Sequence, residues 1–287
     1  MERLLNMHSI SKPAAGIIII LLFWWSSWAL DPDKRLDEYL VDHWNTSEGF
    51  PSELVHSITQ TPDGYLWIAT EKGLCRYDGI TFSPVSFAGE EEAASGKTAL
   101  AEALYLDNNG TLWIGSNIGL TAYDYQTRRF KTFTTAHGIT GGEIRCLLKD
   151  IKGNLWIGFV SNFLDRLTNG QFTAYNDSHG LKGHRVNSII ESQTGNLLIG
   201  TRENGIFQYR DGKFTPYPTP NISGFLINMC EGSSGPLWIS TSDGLLRKTG
   251  KTVEIYSTEH GLSSAYTTDI LEDSQRTLWV GSTKGTR

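Results

Sequence analysis

One phrase recurs six times along the chain and fixes what it can fold into. Gly153-Asn154-Leu155-Trp156-Ile157-Gly158 is its clearest copy. The others are Gly64-Tyr65-Leu66-Trp67-Ile68, Gly110-Thr111-Leu112-Trp113-Ile114, Gly195-Asn196-Leu197-Leu198-Ile199, Gly235-Pro236-Leu237-Trp238-Ile239 and Arg276-Thr277-Leu278-Trp279-Val280. The tryptophan positions are 67, 113, 156, 198 (a leucine), 238 and 279, spaced by 46, 43, 42, 40 and 41 residues. A near-constant period of this length means one supersecondary unit used six times.

The unit can be assembled from its copies. An apolar strand such as Val186-Asn187-Ser188-Ile189-Ile190 comes first, with Ile58, Leu104, Leu147, Met229 and Ile270 at the place of Ile189. A polar turn follows, as in Asp107-Asn108-Asn109-Gly110, where Asn and Gly tolerate the positive φ of a tight hairpin. Leu-Trp-Ile-Gly is the second strand, and Gly119-Leu120-Thr121-Ala122-Tyr123-Asp124 is the third. The fourth is aromatic, as in Phe130-Lys131-Thr132-Phe133. Four short strands with turns between them predict a four-stranded antiparallel blade, and blades repeated radially make an all-β propeller.

The recurring residues are expected to build that fold. Each Trp should be a core residue packed on the next blade, and the glycines Gly115, Gly158, Gly200 and Gly281 should let strands approach closely. His137, His179 and His260 are equivalent positions of different blades, which a ring holds apart, so they are expected to structure loops and not to bind metal. The Asp-x-x-Gly turns lack the dense oxygen ligands of a calcium loop. Cys75, Cys146 and Cys230 show no CxxC spacing and are expected to be small buried hydrophobes. No motif implies a cofactor.

Residues 1–29 stand apart. Arg3 and Lys12 flank the apolar run from Ala14 to Trp25, and Ser27-Trp28-Ala29 offers small residues for cleavage after Ala29. This is the pattern of an export signal. An uncleaved anchor is the alternative, although the run falls short of the roughly 20 residues of a spanning helix. The propeller is then residues 30–287, placed in the periplasm or outside the cell. A net charge of −6 and the lack of any basic run argue against a nucleic-acid partner.

Asp150-Ile151-Lys152-Gly153-Asn154-Leu155-Trp156-Ile157-Gly158 and its siblings resemble the two-component regulator propeller repeat, whose core reads D-x-x-G-N-L-W-I-G-T-x-x-G-L. The stretch from Trp44 to Tyr77-Asp78-Gly79 resembles the usual first blade of such proteins. The resemblance spans about residues 36–286. It implies a bacterial periplasmic sensor module, followed in the full-length protein by a β-sandwich, a membrane helix and a histidine kinase or diguanylate cyclase. Oligosaccharides are the ligand class it implies, and a full-length protein of that kind could form a homodimer. Any link to the membrane would run through that downstream helix or an uncleaved signal. Departures from the pattern are Leu198 for Trp, Arg276 for the turn Gly, Phe159-Val160-Ser161-Asn162 for the Thr-x-x-Gly loop, and the acidic loop 89–96.

Counting strands gives about five and a half blades, the sixth unit ending after its second strand. Seven blades are expected, so the ring is expected to be incomplete. Tyr39–Trp44 looks like the fourth strand of a final blade, offered to close the ring. The chain is therefore expected to be a piece of a longer protein. A strained six-blade closure is the alternative.

Positions that face a shared channel should differ between blades, whereas packing positions repeat. Two slots along the first strand behave so. One holds Leu54, Leu100, Glu143, Arg185, Phe225 and Tyr266; the other holds His56, Glu102, Arg145, Asn187, Ile227 and Thr268. Loops bearing Lys72, Asn162, Arg202 and Asp243 could join them. Arg145, Arg185, Glu143, Tyr266, Asn187, His56 and Arg202 are the candidate ligand-binding residues, suited to a polar or sugar-like small molecule. The chain is expected to sense a ligand without catalysing a reaction. A propeller enzyme such as a lyase or glycosidase, or a protein-docking scaffold, is the competing reading. No GxSxG, HExxH or paired-acid motif supports catalysis.

Overall fold

Each hairpin between the first two strands is tied by its own sequence. In Asp107-Asn108-Asn109-Gly110 the Gly110 N–H donates to the Asp107 carbonyl at 2.9 Å, and the Asn109 and Thr111 N–H groups donate to Asp107 Oδ1 at 2.9 and 3.0 Å. Oδ2 of the same carboxylate accepts from the Trp113 indole at 3.1 Å. The bond recurs from Trp156 to Asp150 and from Trp279 to Asp273, each at 2.8 Å, and Thr61 takes the place of Asp for Trp67 at 2.9 Å. Where Leu198 replaces the Trp there is no indole to hold, and Ser192 stands in place of the Asp. Aspartate and tryptophan of the motif are thus one device, which fixes the turn and orients the ring together.

A computed structural model describes residues 44–52, 54–88, 98–161, 163–183, 185–219, 222–283 and 285–286. Its strands form six antiparallel sheets in which sequence neighbours pair in order. The first strands are Val55–Gln60, Ala101–Leu106, Ile144–Lys149, Val186–Glu191, Leu226–Glu231 and Thr267–Glu272. Five sheets have four strands, as the repeat predicts, and among the described residues the remaining regular structure is short 3-10 turns. The sixth sheet has three strands where sequence suggests two. The chain turns back after Ser282, and Gly285–Thr286 pairs with Gly281 and Ser282. The expected export signal, the strand leading into Trp44, the acidic loop 89–96 and Asn162 lie outside the described residues.

Successive first strands lie against one another around a common axis, and the second strand of each blade packs on the first strand of the next. Five apolar clusters fill the five interfaces of six consecutive blades, and among the described residues the ring is not closed. Ile58, in the first blade, is accordingly 59% exposed, while its equivalents Ile189 and Ile270 are buried. The repeated glycines make the close approach possible. A Cβ at Gly158 would stand 2.5 Å from Cys146 Sγ and 2.7 Å from Val186 Cγ1, and one at Gly115 would stand 2.4 Å from Ile144 Cγ2.

Full burial of the Trp holds in two blades only. Trp67 and Trp156 are each 1% exposed because a tyrosine of the next blade covers them, Tyr123 and Tyr209, both with ring centroids at 4.8 Å. Trp113 packs against a cluster in which the third strand of the next blade supplies the smaller Leu167 and, like Trp238 and Trp279, is half-buried. The cysteines also divide. All three are free thiols, Cys75 is buried, and Cys146 and Cys230 are half-buried, since a first-strand residue faces the axis as well as its neighbour.

A second device, not foreseen from sequence, latches blade to blade. Glu191, Glu231 and Glu272 end the first strands of blades four, five and six. Each carboxylate accepts the backbone N–H of the preceding blade's turn, from Ile151 (2.8 Å), Gln193 (2.5 Å) and Ser233 (2.7 Å). At the same position in blade three, Lys149 reaches back to Asp107 at 2.6 Å. The His-Gly loops are also settled locally. Nδ1 of His137, His179 and His260 accepts the backbone N–H of Thr134, Asn176 and Ser257 at 3.1–3.3 Å, and Gly138, Gly180 and Gly261 cap the turns in the left-handed region. Each ring also meets the edge of a fourth-strand aromatic, as His179 does Tyr175 at 5.2 Å.

Candidate functional site

Every first strand carries a break in register, and all six fall at the same point. Val55 and Ser57 pair with Thr70 and Ala69, leaving His56 over. In the same way Glu102, Arg145, Asn187, Ile227 and Thr268 are each the extra residue of a β-bulge. A bulge turns its residue out of the strand's alternation. Here all six side chains are turned to one axial cavity of about 470 Å³, which the six first strands line together. The second of the two slots that vary between blades is therefore a ring of bulge residues.

Its charges are partly paired. Glu102 is almost buried, and its Oε2 stands 3.3 Å from Arg145 Nη1 and 3.5 Å from His56 Nδ1. Three consecutive blades thus meet on one carboxylate oxygen. Asn187 donates from Nδ2 to the Leu226 carbonyl of the next blade at 2.6 Å and accepts from Arg185 Nε at 3.3 Å. Cys146 also faces this cavity, and burial pushes its thiol up to about 12, against the pull of Arg145.

The first slot lies elsewhere than expected. Leu54, Leu100, Glu143, Arg185, Phe225 and Tyr266 precede the strands by one residue and do not belong to them. Their carbonyls accept from the loop that follows the second strand: Glu71, Asn117, Val160, Arg202, Ser242 and Thr283 donate at 3.0–3.4 Å. These backbone bonds set the residues at the rim of the cavity, where Phe225 and Tyr266 are 42% and 43% exposed and Glu143 is exposed. Of the first slot only Leu54 borders the cavity itself.

Arg202 lies at the rim between blades four and five. Its guanidinium sits 4.3 Å over the Phe225 ring and 3.5 Å from Glu203 Oε1. With Asn204, Tyr217 and Thr219 it also lines a separate cleft of about 350 Å³, which shares no lining residue with the axial cavity. Of the other loop residues, Lys72 is exposed and Asp243 is held by Ser223 (2.9 Å) and Ser242 (3.2 Å). His56, Arg145 and Asn187 are thus gathered at the cavity wall, while Arg185 and Arg202 stand together at the mouth. Glu143 and Tyr266 are rim residues. Glu102, which shares the variable slot but is not among the candidate residues, is the hub of the wall. A carboxylate in a slot that also holds His56, Arg145 and Asn187 is the signal in the residues.

Three stretches, residues 49–72, 138–160 and 261–284, match the family described as two component regulator propeller. Each runs from a loop glycine through the first two strands of a blade, so the match falls on the repeat itself. The fold recurs in an extracellular domain assigned to a hybrid two component system, BT3049 from B. thetaiotaomicron. That domain is 23% identical over 86% of this chain and 35% of its own, with a TM-score of 0.73. The extracellular domain of BT4673 from the same organism is 20% identical over 81% of this chain and 37% of its own, with a TM-score of 0.58. The chain spans little more than a third of the length of either. A virginiamycin B lyase from Staphylococcus aureus, in a catalytically inactive form with quinupristin, is 15% identical over 83% of this chain and 80% of its own, with a TM-score of 0.64. No curated protein matches the chain in sequence.

Proposed function

We propose that this chain of two-component regulator propeller repeats is the ligand-sensing part of a bacterial signalling protein. It works outside the cytoplasm, takes a small polar molecule such as an oligosaccharide at its axial cavity, and does no chemistry on it. One observation carries the reading. One of the two sets of side chains that differ between blades is the one that six bulges turn to a single cavity, and the other stands at its rim, while the repeated positions are spent on packing and latching. A ring of His, Glu, Arg, Asn, Ile and Thr offers hydrogen bonds of both senses around a polar guest, with Phe225 and Tyr266 as exposed ring faces at the rim. Residues 1–29 would deliver it as an export signal. The extracellular domains with the same fold support that location. The output, a histidine kinase or diguanylate cyclase, would belong to a longer protein.

The test is a thermal-shift screen of the chain against a panel of neutral and acidic oligosaccharides, repeated with Arg145→Ala. A ligand present at about a hundred times its Kd stabilises the fold by roughly 2.7 kcal/mol, which reads as a clear rise in Tm. We expect that rise for a narrow class of glycan and its loss in the variant. No rise with any glycan overturns the reading, as does steady consumption of the glycan during the assay.

A further inference from the structure

The mouth of the cavity is not neutral toward its guest. Arg185 is half-buried, and its Nε–H is already committed to Asn187 Oδ1, while its two terminal nitrogens have no hydrogen-bond partner among the described residues. Its neighbours have carboxylate partners. Arg145 has Glu102 at 3.3 Å and Arg202 has Glu203 at 3.5 Å. Among the described residues, Arg185 has no carboxylate within ion-pair range. Burial lowers its guanidinium from the usual range, the charges of Arg202 and Arg145 lower it further, and Glu143 and Glu203 only partly offset them. Its position is firmly set. The Arg185 carbonyl holds the Arg202 N–H at 3.0 Å, the Arg202 carbonyl holds the Leu226 N–H at 3.1 Å, and the Leu226 carbonyl holds Asn187.

A cation so placed gains more from an anion than from a sugar hydroxyl, because charge-assisted bonds are about twice as strong as neutral ones and a planar fork takes a planar acid by two bonds at once. The separate cleft that Arg202 also lines leaves room for the remainder of a chain-like molecule. We infer that the ligand carries an oxyanion, a carboxylate or a sulfate, which Arg185 receives through its two terminal nitrogens at the mouth, with Arg202 beside it. This rests on the reading of the cavity as a ligand site and adds the class of ligand that it takes.

The experiment is isothermal titration of the chain with digalacturonate, its neutral dimethyl ester and a sulfated galactose disaccharide. The acid or the sulfated sugar should bind at least about tenfold more tightly than the ester. Arg185→Gln should lose that factor, Arg185→Lys should keep only the part that a point charge supplies without the two-bond fork, and binding should weaken as salt rises. Binding of the sulfated sugar without the acid, or the reverse, names the source of the charge. Equal binding of ester and acid, or an affinity for both charged probes that Arg185→Gln leaves unchanged, overturns the inference while a neutral-ligand sensor still stands. If no probe of either charge binds, the sensing reading falls with it.

Discussion

Lys149 of the third blade reaches back 2.6 Å to Asp107 in the turn of the second, whose carboxylate also holds the Trp113 indole and the turn's own backbone. One nearly inaccessible side chain therefore joins a turn, a core ring and a neighbouring blade. Burial opposes its charge, but Lys149, Trp113 and the Thr111 and Asn109 N–H groups outweigh it and hold the carboxyl below the usual carboxylate range. Removing it as Asp107→Ala strands Lys149 and leaves the turn donors unpaired, a loss of about 2–4 kcal/mol. A lowered folded pKa means stability that is present above the ordinary carboxylate value and lost as pH falls through the folded one. Urea unfolding should show the wild type approaching the variant only in strong acid. A difference that stays constant with pH would refute this account of the bond.

Asp165 should behave with the opposite sign. It is fully buried in the third strand of blade three, where it accepts from Thr140 N (2.7 Å) and Thr140 Oγ1 (2.6 Å) and so fastens the loop after the His137 turn. Burial, the largest influence, raises its pKa against the two Thr140 bonds. A raised folded pKa gives stability that is complete below the unfolded value of about 3.9 and is lost as pH rises through the folded one. Asp165→Asn removes the titration, and the Thr140 hydroxyl can accept from the new amide. The variant should gain on the wild type as pH rises from acid toward neutral. Parallel stability curves would count against it.

How much of this was legible in the residues follows from what repeats. The blade, the close glycines and the loop role of His179 are each forced by a pattern that recurs in phase, and recurrence in one chain serves as its own comparison. The latch through Glu191, Glu231 and Glu272 recurs as well, yet it joins a strand end to a turn some forty residues earlier. Spacing along the chain does not reveal which neighbouring turn will receive it. The variable slots were visible for the reason that they do not repeat. That one of them is a bulge was not, because an extra residue in a strand shows only against the strand it fails to pair with. The reading of Glu143 and Tyr266 as strand residues failed on this point. A one-residue shift at the strand's start moves a side chain from wall to rim.

Arg276 occupies the turn position held by glycine in the other five copies, and it adopts their left-handed backbone at φ 69°. For a residue with a Cβ that conformation costs roughly 1–2 kcal/mol. Its N–H still closes the turn on Asp273 at 3.0 Å, so glycine would keep the bond and relieve the strain. Arg276→Gly should therefore stabilise the chain by about 1 kcal/mol, after allowance for the greater freedom of glycine when unfolded. Equilibrium denaturation decides it, and a loss of stability would mean that the arginine side chain contributes more than its backbone withholds.

Glu102 is the sharpest test of how charge is distributed across the axial cavity. Its Oε2 restrains both Arg145 and His56 while being only 13% exposed in its side chain. Glu102→Gln keeps the shape and removes the charge, which leaves Arg145 without its carboxylate next to Arg185. Stability should fall by about 1–2 kcal/mol, the range for a hydrogen bond to a charged group that is partly open to water. Affinity for an acidic probe such as digalacturonate should move the other way and rise several-fold, on the order of three to ten, because Arg145 becomes free to face the ligand. Titration of the variant alongside its melting curve separates the two effects. If the affinity falls together with the stability, the Glu102 carboxylate is itself a ligand contact, and the guest must bring it a donor.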